Sequence, residues 1–397
     1  MKVVIAGGGT GGHVYPGVVL AEALAERGGN IVFMGSPTGP EARVAVAAGL
    51  AFQPVDVIGL ERTLTPRNLV ALAKLTTGTG RALAFLRRFQ PDVVVGTGGY
   101  VSLPVALAAG MRRIPLIVHE QNAIPGLANA VAGRFADAVA VSFPGSGGRF
   151  GARARLTGNP VRPEIAAFNR TTLREAAIRH FELEGGRRTL LIFGGSQGAM
   201  RINQAALSAY GRFRDSDRLQ VLHLTGARAL EDAQRRLAQV QRCEDRVLWR
   251  LVGYTDSMHL AYAAADLALC RSGATTIAEL AGSGLPAILV PYPHATGNHQ
   301  LANARALAAT GGATIVGDGD LDEAAFAGAV GELVFDRSRL GRMAEAAARL
   351  SVPDARERLA SLVVEMAGRR RSQLRFPELG GGRARSELAP SRPRRRP

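Results

Sequence analysis

The chain has 397 residues, 47% of them apolar but only 5% aromatic, with two cysteines and a formal net charge of +16. That length suits two domains rather than one, with cores built mainly from Ala, Val and Leu. No run of about 18 uncharged apolar residues exists to cross a membrane, and two thiols make neither a disulfide framework nor a metal site.

In chain order, MKVVIAGGG enters a strand at once, without the long apolar core or cleavage site of a signal peptide. A glycine turn, GGGTGGHVYPG, and a helix, VVLAEALAERG, follow. IVFMGS, DVVVGTGG and PLIVHEQN read as further strands, and LVALAKL as a helix between them. This is βα alternation, hence a parallel sheet covered by helices. After Asn159-Pro160 the pattern restarts with TLLIFGGSQGAMRINQAAL, then LQVLHLTG, VLWRLVGY, DLALCRSG and PAILVPYP. The expected fold is α/β: two Rossmann-like domains, parallel sheets facing a central cleft, each with a glycine turn after its first strand. Prolines in GNPVRPE place the boundary so that residues 1–162 form one domain and 163–350 the other. SVPDARERLASLVVEMAG predicts a helix at about 353–367 that crosses back onto the first domain. Cys243 and Cys270 read as small core residues of a reduced, cytoplasmic protein.

Residues 369–397 hold ten Arg and two Glu, net +8, which leaves +8 for residues 1–368. This tail is rich in Arg, Pro and Gly, lacks apolar periodicity, and is expected to be disordered. It suits attraction to anionic lipid or nucleic acid, or no specific role. The chain lacks aromatic stacking motifs, so a nucleic-acid platform is not expected.

Ligands of open α/β sheets bind beyond the carboxyl ends of the strands. Glycine turns there bring amide N–H groups close, and helix N-termini favour phosphate. Gly7, Gly9 and Gly12 satisfy GxGxxG, but the second strand ends in Gly35-Ser36, not in the acid that holds a dinucleotide ribose, and no Walker Gly-Lys-Ser/Thr occurs. FGGSQGA adds Ser196 and Gln197 as donors to a diphosphate. In CRSGATTIAEL, Ala274 and Thr275 leave helix-start amides open to an anion. Glu279, one turn on, can bridge two ribose hydroxyls or be a solvated helix residue. Gln300 and Asn303 suit sugar hydroxyls, and Asn303 equally suits a cap. HEQN brings Glu120 and Asn122 toward the cleft, with His119 as a structural histidine.

GGGTGGHVYPG, GTGGYVS, HEQN, GNPVR, GGSQGA, RSGATTIAE and NHQLANA occur here in the order seen in the MurG family. The resemblance spans roughly residues 1–368. It implies the GT-B fold, with donor nucleotide on the C-terminal domain and acceptor lipid on the N-terminal one. It implies an inverting transferase that needs no metal or other cofactor. That enzyme moves GlcNAc from UDP-GlcNAc to the MurNAc 4-hydroxyl of undecaprenyl-linked lipid I, giving lipid II in peptidoglycan synthesis. Carried over by motif, Thr10, Gly11, Gly12, Asn122, Arg162, Ser196, Gln197, Ala274, Thr275, Thr276, Glu279, Gln300 and Asn303 are expected on UDP-GlcNAc. Thr255, in VGYTDSM, aligns with the segment whose backbone reads uracil. Gly9, Thr10, Gly98, Gly99 and Tyr100 are expected at the acceptor. Asn298 departs from the family, where Asp commonly precedes His-Gln.

The resemblance sets His13 beside the reacting sugar. The chemistry agrees, because an imidazole can take the proton of an attacking hydroxyl at neutral pH. Glu120 is a second candidate to act as base or to orient groups. Ser196, the amides around Ala274 and Thr275, and Arg162 are expected to steady the departing UDP. A lipid acceptor also implies a peripheral protein on the cytoplasmic face of the cell membrane, with other cell-wall synthesis proteins as partners. In residues 61–91, Leu69, Leu72 and Leu75 beside Arg67, Lys74, Arg81, Arg87 and Arg88 suit an anionic lipid surface, or an ordinary amphipathic helix. The remaining alternatives are a GT-B transferase with another acceptor and a non-catalytic module that binds a nucleotide sugar or dinucleotide.

Overall fold

The structure is a computed structural model that describes residues 1–55, 57, 66–195 and 198–375, with the backbone alone at 66–69 and 370–375. The first sheet comprises β1 (Lys2–Gly7), β2 (Asn30–Gly35), β3 (Ala51–Pro54), β4 (Val93–Gly98), β5 (Leu116–Glu120), β6 (Ala138–Val141) and β7 (Ala154–Leu156). Their order is β3-β2-β1-β4-β5-β6-β7, and every pairing is parallel. The second sheet comprises β8 (Arg188–Phe193), β9 (Leu219–Leu224), β10 (Leu248–Val252), β11 (Leu267–Cys270), β12 (Ala287–Leu289) and β13 (Ala313–Ile315). It is also parallel, in the order β10-β9-β8-β11-β12-β13.

Helices cover both faces, so the central strands are continuous apolar runs rather than alternating ones. Val93, Val94 and Val95 are all fully buried, as are Leu190, Leu191 and Ile192. Strand order reverses between β1 and β4 in one sheet and between β8 and β11 in the other. Those reversals open the crevices in which such sheets bind ligands. Strands β3, β6, β7 and β13, each three or four residues long, escape the sequence reading.

The chain leaves the first sheet after Leu156 and returns through residues 349–354 to a helix, Ala355–Arg375. Leu359, Val363 and Met366 of that helix share a core with Val3, Ile5 and Leu20 of the first lobe. The helix runs on to Arg375, so the tail expected to be disordered from 369 begins as helix, and 376–397 lie outside the described residues. The outgoing and returning segments touch. Gly158 has φ +79°, and a Cβ there would stand 2.6 Å from that of Val352.

Cys270 is buried as expected, but Cys243 is exposed, its thiol donating to Glu244 Oε2 at 3.2 Å. The helix Pro66–Phe89 buries Ala71, Ala82 and Leu86 and leaves Val70 and Leu72 half exposed. Arg81, Arg87 and Arg88 are exposed on the same helix. Residues 61–65 and the side chains of Arg67 and Leu69 lie outside the described residues. Among the described residues, no helix is long and apolar enough to cross a membrane.

Candidate active site

The first glycine turn is built against the end of β4. A register shift between Ala6 and Gly7 pairs Gly7 with Gly98, and Gly8 N–H donates to the Gly98 carbonyl at 3.2 Å. Gly98 and Gly99 have φ of +106° and +78°. A Cβ on Gly99 would stand 2.2 Å from the Gly8 oxygen, so both conformation and space demand glycine there. Tyr100 follows, 40% exposed.

The helix Gly11–Glu26 starts from this turn, and Thr10 sits at its cap position without a side-chain capping bond. The first amides, those of Gly11 and Gly12 among them, are therefore open to an anion. His13 lies in the first helical turn. Its Nδ1 is 3.1 Å from the Gly8 carbonyl oxygen and 3.3 Å from Thr10 Oγ1. A carbonyl only accepts, so Nδ1 carries the proton and Nε2 carries the lone pair. The Nε2 edge faces Gly98, where a Cβ would come within 3.1 Å of it. Burial holds the imidazole below the usual histidine range, against the opposing pull of the Gly8 carbonyl and the Glu41 carboxylate. His13 is therefore neutral near pH 7 and able to accept a proton.

Glu41 went unnoticed in the sequence. It is fully buried beneath the turn, where Oε2 accepts the Gly9 N–H at 3.2 Å and Oε1 the Ser36 N–H at 2.9 Å. A signal was present: GSPTGPEA places an acid just inside a Pro-started helix, on the loop where a ribose-binding acid is usually sought.

At the end of β5 both carboxylate oxygens of Glu120 are engaged. Glu120 is fully buried. Its Oε1 accepts from Asn122 N and Nδ2, and its Oε2 from Gly126 N and Asn129 Nδ2. The carboxylate thus holds the loop 122–129, an occupation at odds with that of a mobile proton carrier. His119 is buried between the Gly158 carbonyl and Gln121, and burial pushes it down to about 4.

The second lobe supplies matching pieces. Gly195 and Gly198 take positive φ around the second glycine turn, whose Ser196 and Gln197 lie outside the described residues. The helix Ala274–Ser283 again starts without a side-chain cap, after Gly273. Thr275 Oγ1 is buried there with no hydrogen-bond partner, and Thr276 is half-buried beside it. This helix touches the helix that carries His13. An orphaned hydroxyl beside open amides is a costly arrangement that an anionic ligand would relieve.

Glu279 is buried one turn further on. Its Oε2 accepts from Tyr262 Oη at 2.7 Å, and its Oε1 lies 3.6 Å from Arg162 Nη2. Burial raises its pKa, opposed by Arg162 and Tyr262. Arg162 also donates to the Asp256 carbonyl at 3.1 Å. Thr255 Oγ1 accepts the Ser257 N–H at 3.0 Å, shaping the loop in which Tyr254 is half exposed. Gln300 Oε1 accepts the Tyr292 N–H, and its carbonyl accepts from Ser272. Asn298 adopts a left-handed conformation, φ +56°.

Asn303 corrects the expectation of a sugar contact. It is fully buried, with Oδ1 accepting the Ala123 N–H and Nδ2 donating to Asn122 Oδ1 and the Ser272 carbonyl. In this arrangement its amide ties the two lobes together. Asn122, expected on the donor, is the other half of that tie.

Two Rossmann-like lobes, with a glycine turn and an uncapped helix start on each, meet at one cleft beside His13, the arrangement of the two-lobed fold found among glycosyltransferases. The glycosyltransferase family 28 N-terminal domain matches residues 3–141 and the family 28 C-terminal domain residues 189–359. The chain is 41% identical over 372 residues to the UDP-N-acetylglucosamine--N-acetylmuramyl-(pentapeptide) pyrophosphoryl-undecaprenol N-acetylglucosamine transferase of Halothermothrix orenii, covering 92% of this chain and 99% of that one. It is 43% identical over 378 residues to the protein of the same name from Acidothermus cellulolyticus, covering 94% and 99%. The crystal structure of Acinetobacter baumannii MurG superposes with a TM-score of 0.74 at 29% identity, over 92% of this chain and 99% of the other. The chain belongs to glycosyltransferase family 28 and, within it, to the MurG family.

Proposed function

We propose that this protein transfers GlcNAc from UDP-GlcNAc to the MurNAc 4-hydroxyl of undecaprenyl-linked lipid I, giving lipid II, with inversion at the anomeric carbon. The observation that carries this reading is the uncapped helix start at Ala274, with its orphaned Thr275 hydroxyl, beside the helix of His13. One side suits a diphosphate, and the other a hydroxyl that must lose its proton.

The donor's diphosphate lies on the Ala274–Thr276 amides and the second glycine turn, and Glu279 takes the ribose once Arg162 swings toward phosphate. The acceptor's diphosphate meets the first glycine turn at Gly9 to Gly12, with Gly98 to Tyr100 alongside. His13 Nε2 takes the acceptor's 4-hydroxyl proton as that oxygen bonds to the anomeric carbon. The bond from that carbon to the phosphate oxygen breaks, and UDP leaves with the electron pair. Helix-start amides and the Arg162 guanidinium meet its growing charge, so the reading asks for no metal. Glu120 acts as a positioning residue. The half-exposed apolar and basic helix Pro66–Phe89 rests on anionic lipid at the cytoplasmic face of the membrane, within reach of a lipid-borne acceptor.

The test is incubation with labelled UDP-GlcNAc and lipid I, or a soluble analogue, in EDTA. Label should pass to the acceptor as a β-linked disaccharide. Label retained on UDP-GlcNAc, or passed only to another acceptor, would reject the reading.

A further inference from the structure

Glu41 plays no part in the mechanism above, yet three glycines make room for it. A Cβ on Gly8, Gly35 or Gly39 would stand 2.1, 2.4 or 2.4 Å from an atom of its side chain. The sequence thus keeps side chains off a single carboxylate from the first glycine turn, the end of β2 and the loop after it. A buried carboxylate is costly unless hydrogen bonds and a nearby opposite charge compensate it. The Gly9 and Ser36 amides supply the hydrogen bonds. The opposite charge arises when His13 becomes an imidazolium: the peptide unit that gives its Gly9 N–H to Glu41 Oε2 at 3.2 Å offers its Gly8 carbonyl to His13 Nδ1 at 3.1 Å, so one peptide joins the carboxylate to the imidazole. His119, the other titratable group acting across this space, stays uncharged at neutral pH.

We infer that Glu41 is a positioning residue for the transfer: it fixes the first glycine turn through the Gly9 and Ser36 amides and supplies the negative charge against which His13 receives the acceptor proton. This rests on His13 being the base. The residue touches no reacting atom and acts through the turn and the imidazole.

The test compares charge at constant shape. Histidine labelled with 13C at Cε1 gives the titration midpoint of His13 by NMR in the wild-type protein and in Glu41→Gln. The kcat profile against pH is measured on the same samples, with UDP affinity confirming that the second lobe is intact. Glu41→Gln should move the His13 midpoint to lower pH and lower kcat about tenfold, with UDP affinity unchanged. The shorter pair Glu41→Asp and Glu41→Asn repeats the contrast should the glutamine variant fail to fold. Equal midpoints within a pair would overturn the inference. A shifted midpoint with an unshifted rate profile would instead remove His13 from the base role while leaving the electrostatic contact intact.

Discussion

Asn303 of the second lobe donates to Asn122 Oδ1 of the first at 3.1 Å while accepting the Ala123 N–H at 2.9 Å. This single amide latches the loop anchored by Glu120 to the helix His299–Ala309. Asn303→Ala would leave the half-buried Ala123 N–H and the buried Ser272 carbonyl without their partner, at about 1–3 kcal/mol. Small-angle scattering should show a wider distribution of lobe separations, and kcat/KM should fall about tenfold or more. An unchanged scattering profile would remove the latch.

His13→Ala should lower kcat by about 10²–10⁴ and leave UDP affinity, read by calorimetry, nearly untouched. Burial places the wild-type midpoint below the ordinary histidine value of 6.5. The base works deprotonated, so the rate climbs with pH through a midpoint below that value and is level at neutrality. Turnover unaffected by the alanine would reject the base assignment.

Gly98→Ala tests the geometry without removing chemistry. The new methyl would stand 2.8 Å from His13 Cδ2, in a backbone with φ +106°. The imidazole must move, and kcat should drop at least about tenfold for an ångström of displacement, while the first lobe keeps its fold by circular dichroism.

Glu279→Ala removes the partner of Arg162 and of Tyr262 Oη. KM for UDP-GlcNAc should rise about tenfold as a ribose contact disappears. The thermal midpoint should also fall, since the buried Tyr262 hydroxyl loses its acceptor. Donor affinity equal to wild type would withdraw the ribose role.

Two histidines outside the chemistry contribute to the acid sensitivity of the fold. Burial holds His119 at about 4 and His223 at about 3, against the ordinary 6.5 that the unfolded chain regains. Between about pH 6.5 and 4 the unfolded state binds more protons, so this share of stability is complete above 6.5 and drains away on acidification. Each contributes a slope of up to about 1.4 kcal/mol per pH unit. Denaturant titrations of His223→Leu should show a shallower loss across that window than the wild-type protein.

Strands rich in Val, Ile and Leu, followed by glycine turns, announced both sheets, because buried parallel strands must be apolar on both faces. The position of His13 was equally legible, since a helix that begins in GGTGGH can hardly place its first-turn side chain elsewhere. The inter-lobe role of Asn303 is not legible in the sequence, for a physical reason. A lone amide on a helix suits a ligand, a cap or another lobe equally, and only the packing of the two lobes decides. For Glu120 the sequence leaves base and orienting group both open, since its hydrogen-bond partners at Gly126 and Asn129 lie on a loop whose path no periodicity encodes. Glu41 is hidden in the sequence because its meaning depends on three glycines, Gly8, Gly35 and Gly39, which become neighbours only when β1 and β2 pair.

The contact of Gly158 with Val352 governs how the cleft can move. A body attached by two adjacent threads of chain, pinned where they cross, behaves like a door on paired hinge pins. It swings readily about the line through both and resists sliding or twisting. Rotation about that line is thus the expected motion between the lobes, and the Asn303 bonds mark the closed seat to which such a rotation would return.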